Sequence, residues 1–263
     1  MRAQVTVIGV AALLLTGCIP AAADPPRELP PAGAAFDYQL GGGYELAGVR
    51  VIARDSTDEP GGSYAICYVN GFQTQPGEGE HWLDEHPDLV LRDPAGDPLA
   101  DPGWPDEYLL DTSTDDKRMR IAALLGTVVT SCATGGFDAV EIDNLDSYSR
   151  SGGALTLDDN IDLAARYARV AHGLGLAIAQ KNGAGHSARL RDEAGFDFAV
   201  AEQCMRYQEC ADYLDAYDGL VFDIEYEGDF AAFCADPRRP ASMILRDRGL
   251  ATPADPAYVY EAC

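Results

Sequence analysis

Asp138, Glu141, Asp143 and Asp146 crowd the stretch FDAVEIDNLDSY (137 to 148), and a further acid, Glu202, stands in FAVAEQCMRYQEC. Carboxylates this close oppose one another's ionisation unless a cation offsets them. Two carboxyl groups facing each other across a cavity suit glycoside hydrolysis. One protonates the departing oxygen, and the other attacks the sugar or activates water. A rim of ion pairs without chemistry gathers acids in the same way, so the pattern alone leaves both readings open. Side chains alternate along a strand, which places Ala139, Glu141 and Asp143 on one face. Phe198, Val200 and Glu202 share a face by the same rule. Glu141 then lies one layer beneath Asp143, where a buried carboxylate is costly without a partner. Lys181 in LAIAQKN is the nearest candidate cation. Asp146 falls beyond the strand end.

Positioning these groups requires a repeating scaffold. Eight short apolar runs read as strands: 36–40, 49–53, 64–70, 138–143, 176–182, 198–203, 220–226 and 242–247. Helical patterns lie between several of them. TLDDNIDLAARYARVAHGLG carries a capping box at Thr156 and Asp159 and an apolar stripe of Ile161, Ala164, Ala165, Ala168 and Ala171, ending at Gly173 or Gly175. A second helix is expected from about Thr114 to Ser131, opened by Ser113 and by Asp115 and Asp116 at its positive dipole end. Strands alternating with helices imply a parallel α/β sheet, and this number of units predicts a single (β/α)8 TIM barrel. The long Gly/Pro-rich stretch 71–112, with His81, Trp82 and Trp104, is expected as a functional loop.

In such a barrel the site lies at the C-terminal strand ends. The last polar residues there are Gln39, Asn70, Asp143 with Asn144, Lys181 with Asn182, Glu202, Glu225, and Arg246 with Asp247. Gln39, Asn70, Asn144, Lys181, Asn182 and Glu225 are therefore candidate substrate-binding residues, joined by Asp146. Tyr148, Tyr207, Tyr226 and Trp104 are candidates for stacking on sugar faces, although an aromatic in a barrel is more often core. His172 reads as packing, and His81 and His86 carry no assignment. No CxxC, HExxH, GxSxG or GxGxxG occurs, so no metal, cofactor or serine nucleophile is expected.

Of the 263 residues 47% are hydrophobic, enough for a sizeable core, and the formal net charge is −24. That charge disfavours nucleic acid and suits a neutral or cationic ligand. The opening MRAQVTVIGVAALLLTGC reads as an export signal whose end, Leu15-Thr16-Gly17-Cys18, looks like a bacterial lipobox with Cys18 as the acylated residue. Residues 1–18 are thus expected as a signal, 19–35 as a Pro/Ala-rich unfolded tether, and 36–263 as the barrel. The expected protein is a monomer, exported and held outside the cell membrane or in an outer membrane by its lipid alone, or else secreted. Setting Cys18 aside leaves Cys67, Cys132, Cys204, Cys210, Cys234 and Cys263. An even number in an exported chain suggests disulfides, with fifteen possible connectivities. The preferred pairs are Cys204 with Cys210 and Cys234 with Cys263, which leaves Cys67 with Cys132.

GFDAVEIDNLDSY, AHGLGLAIAQKN, FDFAVAEQCMRYQEC and VFDIEY follow one another as in glycoside hydrolase family 114, the endo-α-1,4-polygalactosaminidases, and YAICYVNG resembles that family's third strand. The resemblance spans roughly residues 36 to 263. It implies an eight-stranded barrel cleaving galactosamine-containing α-1,4-glycans, with Asp143 of EIDN as nucleophile and Glu202 of EQC as general acid/base. Glu202 is then expected to be protonated at working pH, with Lys181 and Asn144 keeping Asp143 ionised. Glu225 and Asp146 are expected to hold the ammonium of a deacetylated amino sugar. The chain departs from the family at its first strand, which has Phe36 and Tyr38 instead of tryptophan. The second strand keeps only Asp55 of the usual acids, and YVNGFQTQ lacks the glutamate that follows the third. A barrel that binds glycan without turnover, and hydrolysis of another polysaccharide, are the alternative readings.

Overall fold

The computed structural model describes Met1 and residues 24–263. The expected signal beyond Met1, Cys18 and the first part of the expected tether lie outside the described residues. Strands β1 (Phe36–Tyr38), β2 (Val51–Asp55), β3 (Tyr64–Asn70), β4 (Ala139–Asp143), β5 (Ala177–Lys181), β6 (Phe198–Glu202), β7 (Val221–Glu225) and β8 (Ser242–Arg246) pair in parallel, each with the next in sequence. A ninth strand, β9 (Tyr260–Ala262), adds antiparallel to β8 and was not expected. The sheet curls into a (β/α)8-type barrel, with its helical segments α1 (Gly79–Glu85), α2 (Asp115–Gly135), α3 (Leu157–Gly173), α4 (Ser187–Arg189), α5 (Cys204–Tyr207), α6 (Cys210–Ala216) and α7 (Phe230–Ala235) between strands. The first two crossovers carry no helix among the described residues.

Period-two alternation divides the core. Phe36, Tyr38, Ala53, Ile66, Ala139, Ala179, Phe198, Val200, Phe222, Ile224 and Ile244 fill the barrel lumen. The opposite strand faces, with Cys67, Val69, Val140, Ile142, Ile178 and Ala199, pack under Ile121, Leu125 and Val129 of α2 and Ile161, Ala164 and Ala168 of α3. Each fully buried large apolar side chain contributes roughly 1.5–3 kcal/mol by leaving water. The seam between β1 and β8 is bridged by side chains: buried Arg246 pairs with Asp37 at 2.7 Å and donates to the Tyr38 carbonyl, and Ser242 Oγ donates to the Ala34 carbonyl at 2.9 Å.

Most strand ends fall within a residue or two of expectation, but β2 runs on to Asp55 because Arg54 is buried and bonded to Gln39 Oε1, the Glu59 carbonyl and the Tyr44 carbonyl. The cap of α2 is Thr114, whose side chain accepts from Lys117 N, and not Ser113, whose own N–H is taken by Asp111. The same helix passes Ser131 and stops only where Gly136 takes φ 96° and returns its N–H to the last turn. The capping box of α3 forms as expected from Thr156 and Asp159. Segment 71–112 is built as well as long: α1 and the bridge pairs Gln73–Leu109, Val90–Leu110, Arg92–Pro98 and Ala100–Tyr108 organise it. Residues 24–35 do not hang free. Arg27 pairs with Asp197 at 2.9 Å, the Glu28 carbonyl accepts from Tyr64 at 2.9 Å, and Pro30 is buried.

The cysteines pair as Cys67–Cys132, Cys204–Cys210 and Cys234–Cys263. The first ties the outer face of β3 to α2 across 65 residues of chain. Replacing both Cys67 and Cys132 by Ala should lower unfolding stability by about 2–4 kcal/mol, since the closed loop restricts the unfolded chain. Urea denaturation under non-reducing conditions measures it.

Candidate active site

Three strand ends in a row make the site. Asp143 ends β4, Lys181 ends β5 and Glu202 ends β6, all on the lumen face. Each is followed at once by a residue with positive φ: Asn144 at 60°, Asn182 at 53° and Gln203 at 60°. That conformation is uncommon outside glycine and costs free energy, so its repetition here marks turns that the surrounding contacts enforce. The turns fold the following side chains back over the rim. Asn182 Nδ2 donates to Glu202 Oε2 at 2.8 Å while its Oδ1 accepts from Glu202 N at 2.8 Å. Asn144 N donates to Asp143 Oδ1 at 2.6 Å, and its side chain donates to Asn70 Oδ1 at 2.9 Å.

Lys181 Nζ sits at the centre, 3.5 Å from Asp143 Oδ2, 3.4 Å from Glu202 Oε2, 3.6 Å from Glu141 Oε1, and donating to Tyr38 Oη at 3.0 Å. Its side chain is 3% exposed and that of Glu141 is fully buried, whereas Asp143 is 18% and Glu202 29% exposed. The two mouth carboxylates therefore reach solvent above a buried cation and a buried third acid. Burial alone would pull the Lys181 pKa down, but Asp143, Glu202, Tyr38 and Glu141 outweigh it and hold it well above the ordinary lysine value. Burial pushes Glu141 up to about 7 against the opposing pull of Lys181 and Tyr38.

Glu202 goes the other way. Burial raises its pKa, yet the Lys181 charge and donors from Tyr226, Asn182 and Lys181 bring it below the usual carboxylate value. In the free site Glu202 is thus held as a carboxylate, which corrects the expectation that its neighbours keep it protonated. Tyr226→Phe removes one of those donors, so Glu202 should titrate at higher pH in the variant than in the parent. The ¹³C shift of its carboxyl followed against pH reads this.

Asn70 faces the same mouth, donating to the Thr74 carbonyl and to Glu107 Oε2 at 2.8 Å. Tyr226 donates to Glu202 Oε1 at 2.5 Å. Asp146 lies off the strand end, paired with Arg150 at 2.8 Å. Tyr207 projects into solvent from α5. The Tyr148 hydroxyl is engaged with His186 Nε2 at 2.7 Å and the ring packs beside Leu91, Leu109 and Leu155. Two expected rim residues are not at the mouth. Gln39 follows inward Tyr38 and so turns outward, fully buried, with its amide spent on Asp37, Arg54 and Tyr44. Glu225 likewise alternates with the lumen residue Ile224 and lies buried behind β7, accepting from the backbone of Met205 and Arg206.

Reading only the last polar residue of each strand missed Tyr38 and Tyr68. Tyr68 donates to Asp143 Oδ2 at 2.9 Å. Alternation from Asn70 back through Tyr68 carried that signal. Nothing local pointed to Glu107, which enters from the long loop to accept from Asn70 and Gln73 and is pushed by burial up to about 7. Nor did anything mark Arg150, which joins Asp101, Asp146, Gln73 and Asn144. Among the described residues Cys204, Cys210 and Asp223 gather at metal-ligand distances, but the two sulfurs are bonded to each other and offer no thiolate. His172 contacts Asp197 at 2.9 Å, away from the mouth.

Two carboxyl groups that share one ammonium and are both open to solvent are the pair that glycoside hydrolysis uses, one to attack or activate water and the other to protonate. The crystal structure of Aspergillus fumigatus Ega3 in complex with galactosamine has the same fold, with a TM-score of 0.72 at 21% identity over 91% of this chain and 99% of that one. The glycoside hydrolase domain of PelA from Pseudomonas aeruginosa is similar at a TM-score of 0.55 and 12% identity, over 86% of this chain and 97% of that one. No curated protein sequence matches the chain. The sequence profile of glycoside-hydrolase family GH114 matches residues 18–263. With nearly its whole length matched in this way, the chain belongs to glycoside-hydrolase family GH114 and is a glycoside hydrolase.

Proposed function

We propose that the protein cleaves α-1,4-linked galactosamine-containing polysaccharide by a retaining double displacement, with Asp143 as nucleophile and Glu202 as general acid/base. The observation that carries this reading is the convergence of both carboxylates on Lys181 at 3.5 and 3.4 Å while each stays open to solvent. Similarity to a protein whose structure holds galactosamine supports the substrate class. Asp143 attacks the anomeric carbon as Glu202 gives its proton to the departing oxygen. Glu202 then takes a proton from the water that releases the sugar, which restores both groups.

Glu202 must gain a proton before the first step. A sugar seated on the mouth strips the remaining water from this carboxylate and strengthens the desolvation that already opposes its ionisation. Asn144, Asn182 and Tyr226 orient the sugar from the rim, with buried Asn70 holding Asn144 in place, Asp146 meets its ammonium, and Tyr207 and Trp104, both exposed, offer stacking faces. The net charge of −24 favours approach of a cationic polymer. Export fits three disulfides, and acylation of Cys18 would hold a monomeric enzyme at the membrane. Among the described residues no helix is long and apolar enough to cross a membrane.

The test is incubation with partly deacetylated α-1,4-galactosamine polymer. New reducing ends are expected, released first as the α anomer by NMR. A β anomer overturns retention, and binding without new ends makes the protein a glycan binder instead.

A further inference from the structure

Glu141 touches Lys181 beside the two mouth carboxylates yet has no place in that chemistry. It is fully buried on the lumen face of β4 beneath Asp143, and no sugar can touch it. Its Oε1 accepts from Tyr38 at 2.7 Å, but its Oε2 is sealed from solvent with no hydrogen-bond partner among the described residues. An ionised carboxylate with one oxygen bare in a sealed site carries a large desolvation cost, and a protonated one carries far less. The charged and titratable groups around it are Tyr38 from β1, Tyr68 from β3, Asp143 from β4, Lys181 from β5, Glu202 from β6 and Tyr226 just past β7. On β2 and β8 the lumen residues Ala53 and Ile244 are apolar, and the charged residues two positions further along, Asp55 and Arg246, are already engaged, Asp55 by Gln75 and Thr57 and Arg246 by Asp37. Three carboxylates thus surround a single ammonium, and one proton relieves the excess charge.

We propose that Glu141 is a positioning residue that stores the catalytic proton, carrying it in the empty site and yielding it to Glu202 when substrate binds. This rests on the assignment of Glu202 as general acid. In the empty site Glu141 is the neutral acid and Glu202 the carboxylate. When the sugar desolvates Glu202, Glu141 becomes the carboxylate and Glu202 the acid, so the proton count of the site is unchanged. The contacts for the exchange are in place. Glu141 meets Tyr38 Oη at 2.7 Å, Tyr38 meets Lys181 Nζ at 3.0 Å, and Lys181 lies 3.4 Å from Glu202. In the resting site the Tyr38 hydroxyl points at Glu141 and accepts from Lys181, so the exchange turns both groups: the Tyr38 proton swings to Lys181 as Lys181 gives one to Glu202, and the Glu141 carboxyl turns its proton onto Tyr38 Oη and is left ionised. The resting preference for Glu141 agrees with a carboxyl pushed up to about 7 beside a Glu202 pulled down.

A shared proton has a kinetic signature. The competent and resting forms are tautomers with equal proton content, so the alkaline limb of kcat/KM marks loss of the last shared proton and falls near neutrality. Glu141→Gln leaves Glu202 to titrate alone, and the alkaline limb should move to lower pH by at least about one unit. Glu141→Asp keeps a titratable group and should keep a limb near neutrality. A purely structural role would lower activity at every pH and leave the limb in place, which overturns the proposal. A second measurement needs neither turnover nor the variant's folding: the carboxyl ¹³C resonances of glutamate-labelled wild-type protein. Glu141 itself, assigned sequentially so that it is told apart from Glu107, which burial also pushes up to about 7, is expected to be protonated at pH 6 in the free protein, and ionised Glu141 at that pH overturns the inference. If wild type cleaves no galactosamine polymer, the functional reading fails, while the resonances still locate the proton.

Discussion

Asp143→Asn should reduce turnover by about 10³-fold or more, the scale expected when the group that bonds to the reacting carbon is lost. The fold should survive, because the asparagine oxygen still accepts from Asn144 N while its amide can donate to the Tyr68 hydroxyl oxygen, and the position is partly exposed. Glu202→Gln should fall by about 10²- to 10⁴-fold on polymer, the usual worth of general acid/base catalysis. The two variants separate by leaving group. An aryl galactosaminide departs without protonation, so Glu202→Gln should retain its first step on that substrate and show a burst of the phenol, whereas Asp143→Asn should show none. Equal losses on both substrates would mean that the roles are not divided in this way, and near-normal turnover in either variant removes that residue from the mechanism.

Much of the scaffold was legible because it rests on short-range rules. Strand alternation placed Glu141 and Asp143 on one face and Glu202 on another strand's lumen face, and the capping box at Thr156 and Asp159 fixed the start of α3. Taking the last polar residue of each strand without regard to alternation misplaced Gln39 and Glu225. Each is the polar residue nearest the strand end, yet the inward positions belong to Tyr38, Ile224 and Tyr226. What the sequence could not carry is long-range. Glu107 reaches Asn70 from 37 residues away, Arg150 reaches Gln73 from 77, and the bridging of β1 to β8 by Arg246 spans almost the whole domain. The charge state of Glu202 was misjudged for a related reason. Counting nearby acids predicts a raised pKa, but Lys181 lies within 3.4 Å and Tyr226 and Asn182 donate directly, so specific donors outweigh the general field.

That balance makes Lys181→Met the most disruptive single change outside the carboxylates themselves. Methionine fills a similar volume but leaves Glu141, Asp143 and Glu202 facing one another with no cation, and removing one partner from a buried ionic cluster costs about 3–5 kcal/mol. The cost should depend on pH in a defined direction. Without the ammonium, the buried acids have folded-state pKa values raised above those of the unfolded chain, so the unfolded chain ionises first as pH rises. Stability is then retained below the unfolded carboxylate value near ~4 and lost as pH climbs through the folded values. Urea denaturation should show wild type and variant close together at pH 4 and far apart at pH 8. The wild-type Lys181 charge persists throughout that interval, because its neighbours hold its pKa well above the ordinary lysine value. A penalty equal at both pH values would mean that Lys181 contributes packing alone, and the electrostatic account of how this site tolerates three acids would be wrong.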